Sequence, residues 1–261
     1  MNTFFELIAL CLAAGMFLSM LAFIEAGRRL GILRLARDPE GLAKGVGATE
    51  GAVFGLLGLL LAFTFSGAAS RFEDRRHLIT EEVNDIGTAF LRIDLVPEDA
   101  RPELRDLFRR YLDARLATYA NVTNQAVTEA RLAETAMLQE SIWTKAMAAS
   151  RRPDVVGRPE VLFVPALNAM FDIATTRRAA TENHPPVAIF MLLGALSLIS
   201  SLLVGYGISG NKYRTWLHAF VFAALTSLAF YVIIDLEFPR LGLIRIDNAD
   251  QLLIDLRKSM N

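Results

Sequence analysis

Four long apolar blocks limit what this chain can fold into. They occupy residues 4–24, 51–69, 186–206 and 216–236. Each has about the 20 residues that an α-helix needs to cross the roughly 30 Å hydrocarbon core of a bilayer. Hydrophobic residues make up 53% of the chain, more than the roughly 45–50% of ordinary soluble domains. The sequence therefore predicts an all-α membrane protein with four transmembrane helices.

The residues around the first block indicate that it is a retained span. No basic residue precedes it, and Arg28 and Arg29 follow it where a signal-peptide cleavage site would need small residues. Four spans place both termini and the long middle segment on one side of the membrane. Basic residues near the span ends number seven on each side, so the positive-inside rule does not choose the orientation.

The segment after the second block has the apolar period of an amphipathic helix. Its apolar residues are spaced by 7, 4, 3, 4 and 3 positions, at Phe72, Ile79, Val83, Ile86, Phe90 and Ile93. The second span is therefore predicted to continue as a long amphipathic helix that Pro97 ends. We expect a helical extramembrane layer over residues 70–184, a C-terminal helix over 247–259 and a short strand over 241–246. Because no linker-like segment separates these parts, residues 1–261 are predicted to form a single domain.

Composition and motifs exclude several function classes. A net charge of −1 argues against a nucleic-acid partner, which normally requires a basic surface. The single cysteine, Cys11, rules out an internal disulfide and a cysteine-cluster metal site. The three histidines, His77, His184 and His218, lack the i, i+4 pairing of a zinc helix. We therefore predict a protein that is not an enzyme and has no cofactor or metal.

An acidic group follows the second span. Glu81, Glu82 and Asp85 lie within five residues, and converging carboxylates are ligands for a cation such as calcium. This group is a candidate cation or gating cluster. The alternative is a solvated helix face on which Arg75 and Arg76 supply the counter-charges.

One face of the second span has the composition of a pore lining. Spacings of 4, 4, 3 and 4 residues place its members on the same side of the helix: Gly55, Leu59, Phe63, Ser66 and Ser70. In a ring of identical helices they would line a narrow hydrophobic constriction that opens into a wetter vestibule. The alternative is that this face packs against other helices of the same subunit.

Two stretches of the chain resemble a large bacterial family, the bestrophin-like domain proteins. The first is EGAVFGLLGLLLAFTFSGAASRF at residues 50–72, followed by EEVNDIGTA at 81–89. The second, DLEFPRLGLIR at 235–245, is similar to the C-terminal signature of that family. Together the two stretches imply that most of the chain shares the family's fold.

A more distant similarity connects the chain with the bestrophins, which are pentameric anion channels. Leu59, Phe63 and the pair Arg71-Phe72 have the spacing of the bestrophin pore helix, whereas Gly55 stands where that helix has a bulky residue. The acidic calcium clasp of animal bestrophins has no clear match.

The resemblance implies a homo-oligomer, in particular a pentamer, in the bacterial inner membrane. It would pass small anions such as chloride and hold its extramembrane helices in the cytoplasm. The alternative is a non-conducting membrane scaffold or sensor whose helical layer binds a partner protein.

Overall fold

The structure is a computed structural model that describes residues 3–37, 46–120, 124–153, 155, 158–210 and 216–260. Within these residues the chain is helical and forms no strand. Its α-helices, in chain order, are α1 (Thr3–Leu35), α2 (Val46–Leu91), α3 (Arg101–Ala120), α4 (Gln125–Ser150), α5 (Pro159–Glu182), α6 (Val187–Gly207), α7 (Trp216–Glu237) and α8 (Asp247–Ser259). The all-α prediction is confirmed.

Four helical segments are long and apolar enough to cross a membrane: Leu7–Leu35, Gly47–Leu95, Pro159–Gly210 and Trp216–Glu237. The third of these joins α5 to α6, and its apolar part is α6. Each of the four predicted spans overlaps one of these segments, and the first begins three residues before Leu7. The chain is therefore a four-span membrane protein, as the apolar blocks predict.

The first helix extends well beyond the apolar block that predicts it. The block ends at residue 24, whereas α1 continues to Leu35. The Glu25 carboxylate accepts hydrogen bonds of 2.8 Å from Arg28 Nε and 2.9 Å from Arg29 Nε, three and four residues further along. Ion pairs at this spacing stabilise a helix, so charged residues extend α1 instead of ending it.

The second span continues as one helix, as predicted. Helix α2 has 46 residues and ends at Leu91. A 3₁₀ turn, Arg92–Leu95, follows it and precedes Pro97, whose backbone has no N–H to continue a helix. Arg101 donates hydrogen bonds of 2.9 Å to the carbonyl oxygens of Val96 and Asp94, which satisfies backbone acceptors at this corner.

The predicted strand over residues 241–246 is wrong. Two backbone N–H groups of this segment donate hydrogen bonds to a carboxylate side chain and not to another strand. The buried Asp235 carboxylate accepts hydrogen bonds from the amides of Leu243, at 3.0 Å, and Ile244, at 2.7 Å. The residues after α7 therefore form a series of turns around this carboxylate. A β-carbon on Gly242 would overlap Asp235 Oδ1, so the turn requires glycine at this position.

The chain divides into two compact units. The first contains Met1–Phe72 and His184–Ile244, and the second contains Glu73–Asn183 and Arg245–Asn261. In the first unit α1 packs closely on α6 and α7. Met20 and Ile24 of α1 are buried there against Ala219 and Ala223 of α7. Cys11, the single cysteine of the sequence, is exposed on α1.

Two glycines allow the backbones of α1 and α6 to touch. A β-carbon on Gly27 would overlap the carbonyl oxygen of Leu202, and one on Gly205 would overlap the carbonyl oxygen of Ile24. Small residues permit such close approach between transmembrane helices, where van der Waals packing drives association. The helices α1 and α6 can therefore cross this closely because Gly27 and Gly205 carry no side chains.

The second unit has a hydrophobic core of its own. Helix α3 packs on α4 and on α8. Its fully buried side chains come from α2, α3, α4 and α5: Ile79, Ile86, Phe108, Tyr111, Leu112, Ile142 and Leu167. On the surface, Arg257 of α8 donates hydrogen bonds of 2.8 and 3.0 Å to the Asp113 carboxylate of α3.

Candidate functional site

The predicted pore-lining residues lie on one exposed face of α2. Gly55, Leu59, Phe63, Ser66 and Ser70 are all exposed on the single chain. The exposed fractions of Leu59 and Phe63 are 52% and 67%. Most of this surface is therefore left to lipid or to another copy of the chain.

The opposite side of α2 packs within the first unit. Leu57 and Ala68 are buried and belong to a cluster with Leu193 of α6 and with Ile233 and Leu236 of α7. The predicted stripe thus occupies the side of α2 that the subunit itself does not cover.

A groove runs beside the stripe, between α2 and the facing parts of α6 and α7. It encloses about 190 Å³. Most of its lining is apolar and comes from Leu60, Phe63, Thr64, Gly67, Pro185, Ile189, Phe190 and Ile233. Two charged residues, Arg71 and Glu237, also line the groove. Phe63 belongs to both the stripe and the groove.

Arg71 and Glu237 form an ion pair at the edge of the predicted spans. Arg71 Nε donates a hydrogen bond of 2.9 Å to Glu237 Oε1, and Nη2 donates a second, very short one to the same oxygen. The Glu237 side chain is 1% exposed. His184 Nδ1 lies 3.4 Å from Glu237 Oε2, and the His184 ring stacks on Phe238 with centroids 4.6 Å apart. Three segments that are distant in sequence meet around one carboxylate.

The local sequence pattern does not predict this ion pair, because its members are 166 residues apart. The only signal in the sequence is that each charge stands at the end of an apolar block. Since a charge in such a position needs a partner or water, Arg71 could have been matched with an acidic residue after the fourth span.

The three residues of the predicted acidic cluster differ in their burial. Glu82 is fully buried, whereas Glu81 is exposed and Asp85 is half-buried. Arg115 Nε donates a hydrogen bond of 2.6 Å to Glu82 Oε1, and Arg177 Nη1 donates a very short one to Oε2. Both oxygens of Glu82 are thus bound to guanidinium groups, so this residue does not lie on a solvated helix face.

Tyr119 completes the environment of the buried carboxylate. The guanidinium carbons of Arg115 and Arg177 lie 4.9 Å and 4.0 Å from the centroid of its ring, which is cation–π distance. Burial alone would raise the pKa of Glu82, but the two guanidinium charges outweigh it and hold this pKa below its usual value. The cluster joins α2, α3 and α5 inside the second unit.

Asp85 has the opposite electrostatic character. Partial burial and the neighbouring charges of Glu81 and Glu82 raise the pKa of Asp85 above its usual value. In the part of the chain that the structure describes, no group of three His, Cys, Asp or Glu side chains is arranged to hold a metal ion. Arg75, one of the two predicted counter-charges, donates hydrogen bonds of 3.0 Å to the carbonyl oxygens of Ala180 and Asn183.

Comparison with known proteins identifies the family of this chain. The profile of the bestrophin-like domain matches residues 10–250. The chain belongs to the bestrophin-like family. The matched region includes the whole first unit from residue 10 onward, and with it the stripe and the groove, so this membership confirms the resemblance of the two sequence stretches.

A solved structure supports the same assignment at the level of the fold. The crystal structure of a mutant of a bacterial bestrophin homologue from Klebsiella pneumoniae is similar to this bestrophin-like chain, with a TM-score of 0.65 and 15% sequence identity. The similarity covers 92% of this chain and 98% of the other. No curated protein matches the chain by sequence.

Proposed function

We propose that this bestrophin-like protein is a homo-oligomeric channel, in particular a pentamer, that passes small anions such as chloride. Gly55, Leu59, Phe63, Ser66 and Ser70 of α2 would line its pore. One observation carries the proposal: in a bestrophin-like chain, Leu59 and Phe63 are large apolar side chains that their own subunit leaves exposed. A ring of α2 helices around a symmetry axis would bring copies of this face together.

The order of side chains along the stripe suits a gated pore. Bulky apolar groups at Leu59 and Phe63 would form a constriction that closes by excluding water. The hydroxyl groups of Ser66 and Ser70 would follow on the wetter side and offer donors to a passing anion. Gly55 has no side chain, so the narrowest part would lie at Leu59 and Phe63.

The proposal includes the cellular setting that the resemblance implies. The protein would act as one bestrophin-like membrane domain over residues 1–261, in the bacterial inner membrane, with its extramembrane helices in the cytoplasm. Glu81 and Asp85 would be the part of the predicted gating cluster that stays accessible, because Glu82 is bound to two arginines.

A chloride-flux assay in liposomes tests conduction. We expect purified protein to release chloride, and Phe63→Ala and Leu59→Ala to raise the rate several-fold by widening the constriction. Phe65→Ala is the matched control, since Phe65 is 47% exposed and lies two residues, or about 200°, around the helix from Phe63. Absence of chloride flux at every pH, voltage and calcium concentration would overturn the proposal, as would equal rates for Phe63→Ala and Phe65→Ala.

A scaffold or sensor is the second candidate, and a separate observation favours it. Outside the predicted spans, Leu91, Met137 and Val161 are 72%, 63% and 58% exposed, and a partner protein bound to the helical layer could cover these apolar side chains. This function predicts an oligomer without an axial opening and a partner protein that co-purifies with it. An image of the particle along its symmetry axis distinguishes the two candidates.

A further inference from the structure

We propose that the last part of α1, residues 28–37, binds the headgroups of anionic phospholipids. Exposed arginines would bind the phosphates, and the leucines between them would contact the acyl chains. This surface shares no residue with the α2 stripe or with the groove beside it. The proposal requires that the chain is inserted in a membrane, but it requires neither conduction nor a particular orientation.

The packing of α1 on α6 places the start of this segment at the membrane boundary. A β-carbon on Gly205 would stand 2.9 Å from the backbone nitrogen of Arg28, and one on Gly31 would stand 2.9 Å from the carbonyl oxygen of Tyr206. Tyr206 is the last residue of the third apolar block, and tyrosine is enriched at membrane–water interfaces. Arg28 and Gly31 are therefore level with the end of the third span.

The arginines of the segment lie at the depth of the lipid headgroups. Arg28 and Arg29 are at the boundary itself. Arg34 follows about 4.5 Å beyond Gly31 along the helix axis, and Arg37 is in the turn that ends the helix, where its backbone N–H donates to the carbonyl oxygen of Arg34 at 2.9 Å. The polar layer on each side of a bilayer is about 5–8 Å thick, so these long side chains can reach the phosphates.

The outer face of the segment combines arginine and leucine side chains. Arg29 and Leu33 are four residues apart, on the side opposite to Gly27 and Gly31, which touch α6. The Arg29 side chain is 74% exposed, and Leu33 and Leu30 are 63% and 52% exposed. Such a face suits the interface of a bilayer, because the guanidinium groups can bind phosphates while the apolar side chains stay in contact with hydrocarbon.

The segment is positively charged without any change of protonation. Arg28 and Arg29 both donate to the Glu25 carboxylate, at 2.8 and 2.9 Å, and this carboxylate offsets one of their two charges. Arg34 and Arg37 are exposed and add two more. Together with Glu25, the segment contains four arginines and one glutamate, which gives a net charge of +3. Arginine keeps its charge at physiological pH, so the attraction for an anionic headgroup needs no titration.

The other charges at this end of the spans leave the sum unchanged. Glu50 of α2 lies beside the end of α6, where a β-carbon on Gly207 would stand 3.4 Å from its Oε1, and it offsets one positive charge. Residues 38–45 and 211–215, the rest of the two short connections, contain three basic and two acidic residues, which restores that charge. A phospholipid such as phosphatidylglycerol supplies both the negative charge and the hydrocarbon that this surface attracts.

Native mass spectrometry of the purified full chain tests the proposal. Each basic residue near a membrane surface favours anionic lipid by about fivefold. Because Arg34 and Arg37 lie outside the ion pairs of Glu25, we expect the wild type to retain phosphatidylglycerol at a concentration about 25-fold lower than that needed for phosphatidylcholine. The double variant Arg34→Gln/Arg37→Gln should lower this ratio to about fivefold or less.

The matched control is the double variant Arg110→Gln/Arg151→Gln. Both arginines are exposed and lie outside the predicted spans, so this variant removes the same charge and should keep the wild-type ratio. Leu33→Gln tests the apolar contact. It should weaken the retention of both lipids and leave their ratio unchanged, because all four arginines remain.

Equal retention of the two lipids by the wild type would overturn the proposal, as would equal ratios for the two double variants. Unchanged retention in Leu33→Gln would contradict the apolar contact. Displacement of phosphatidylglycerol by inorganic phosphate would assign the arginines to a soluble anion instead of a lipid. A smaller oligomer with an unchanged lipid ratio in Arg34→Gln/Arg37→Gln would assign the surface to a second copy of the chain. None of these results depends on chloride flux, so the lipid surface and the proposed channel can fail independently.

Discussion

The carbonyl oxygen of Leu202 occupies the position at which Gly27 would carry a β-carbon. No side chain can be placed there unless α1 and α6 move apart. We therefore expect Gly27→Ala to destabilise the first unit by about 1–3 kcal/mol, the usual cost of overpacking a tight contact. The measurement is the melting temperature of the detergent-solubilised protein.

Gly15 supplies the control for this prediction. It lies on the same helix, and no atom of another helix stands within 4 Å of where its β-carbon would be. Gly15→Ala should leave the melting temperature unchanged or raise it, because alanine has the higher helix propensity. Equal melting temperatures for the two variants would contradict the close crossing of α1 and α6.

Glu82→Gln should strongly destabilise the second unit. The substitution removes the carboxylate that Arg115 and Arg177 share and leaves two buried guanidinium groups without it. Breaking a buried ion pair in this way costs about 3–5 kcal/mol. The neighbouring substitution Glu81→Gln, at an exposed position, should change stability by no more than about 0.5 kcal/mol. Chemical unfolding of the two variants measures the difference, and similar midpoints would contradict the structural role of Glu82.

A fall in pH should lower the stability of the second unit, because Glu82 becomes protonated. The folded-state pKa of this residue is lower than its ordinary value of 4.5, so the folded state favours the carboxylate. Its contribution to stability is therefore present above pH 4.5 and is lost as the pH falls through the lowered pKa. We expect the melting temperature of the wild type to fall in this acidic range, whereas that of Glu82→Gln should change less. Parallel pH profiles for the two proteins would argue against this carboxylate as the source.

Asp85→Asn should change the stability of the protein in the opposite direction to Glu82→Gln. The pKa of Asp85 is raised above its ordinary value of 3.8, so ionisation of this residue costs stability in the folded state. Removal of the charge should stabilise the protein at pH 7, by about 0.5 kcal/mol or less because the site is partly solvated. The gain should shrink as the pH falls through the raised pKa toward 3.8, where the wild-type carboxyl is itself increasingly protonated. A decrease in the melting temperature at pH 7 would contradict this electrostatic assignment.

The helices could be predicted from the sequence because their signals are local. Hydropathy defines the four spans, and the apolar period from Phe72 to Ile93 predicts the continuation of α2. Pro97 marks the corner for the same reason, since its effect on the backbone needs no distant partner. The extension of α1 beyond its apolar block also has a local cause, because the arginine partners of Glu25 lie three and four residues away.

The pairing of charges could not be predicted, because it depends on distant residues. Glu82 is separated from Arg115 by 33 positions and from Arg177 by 95. Its spacing of three from Ile79 and four from Ile86 places it on the buried face of α2, but that spacing does not identify its partners. The turn after α7 could not be predicted for the same reason, because its shape depends on hydrogen bonds from amides eight and nine residues later to the Asp235 carboxylate. The exposure of Leu59 and Phe63 agrees with the predicted stripe, but the stripe becomes a pore only if several copies assemble, and neither hydropathy nor helical period gives their number.

The exposed position of Cys11 on α1 provides a way to count those copies. This thiol is the single cysteine in the 261-residue sequence and lies within the first predicted span, so every subunit of a detergent-solubilised assembly carries one attachment point for a small apolar fluorophore. The number of photobleaching steps in one fully labelled particle then equals the number of chains. The unmodified protein can therefore report its own stoichiometry, with no residue added or replaced.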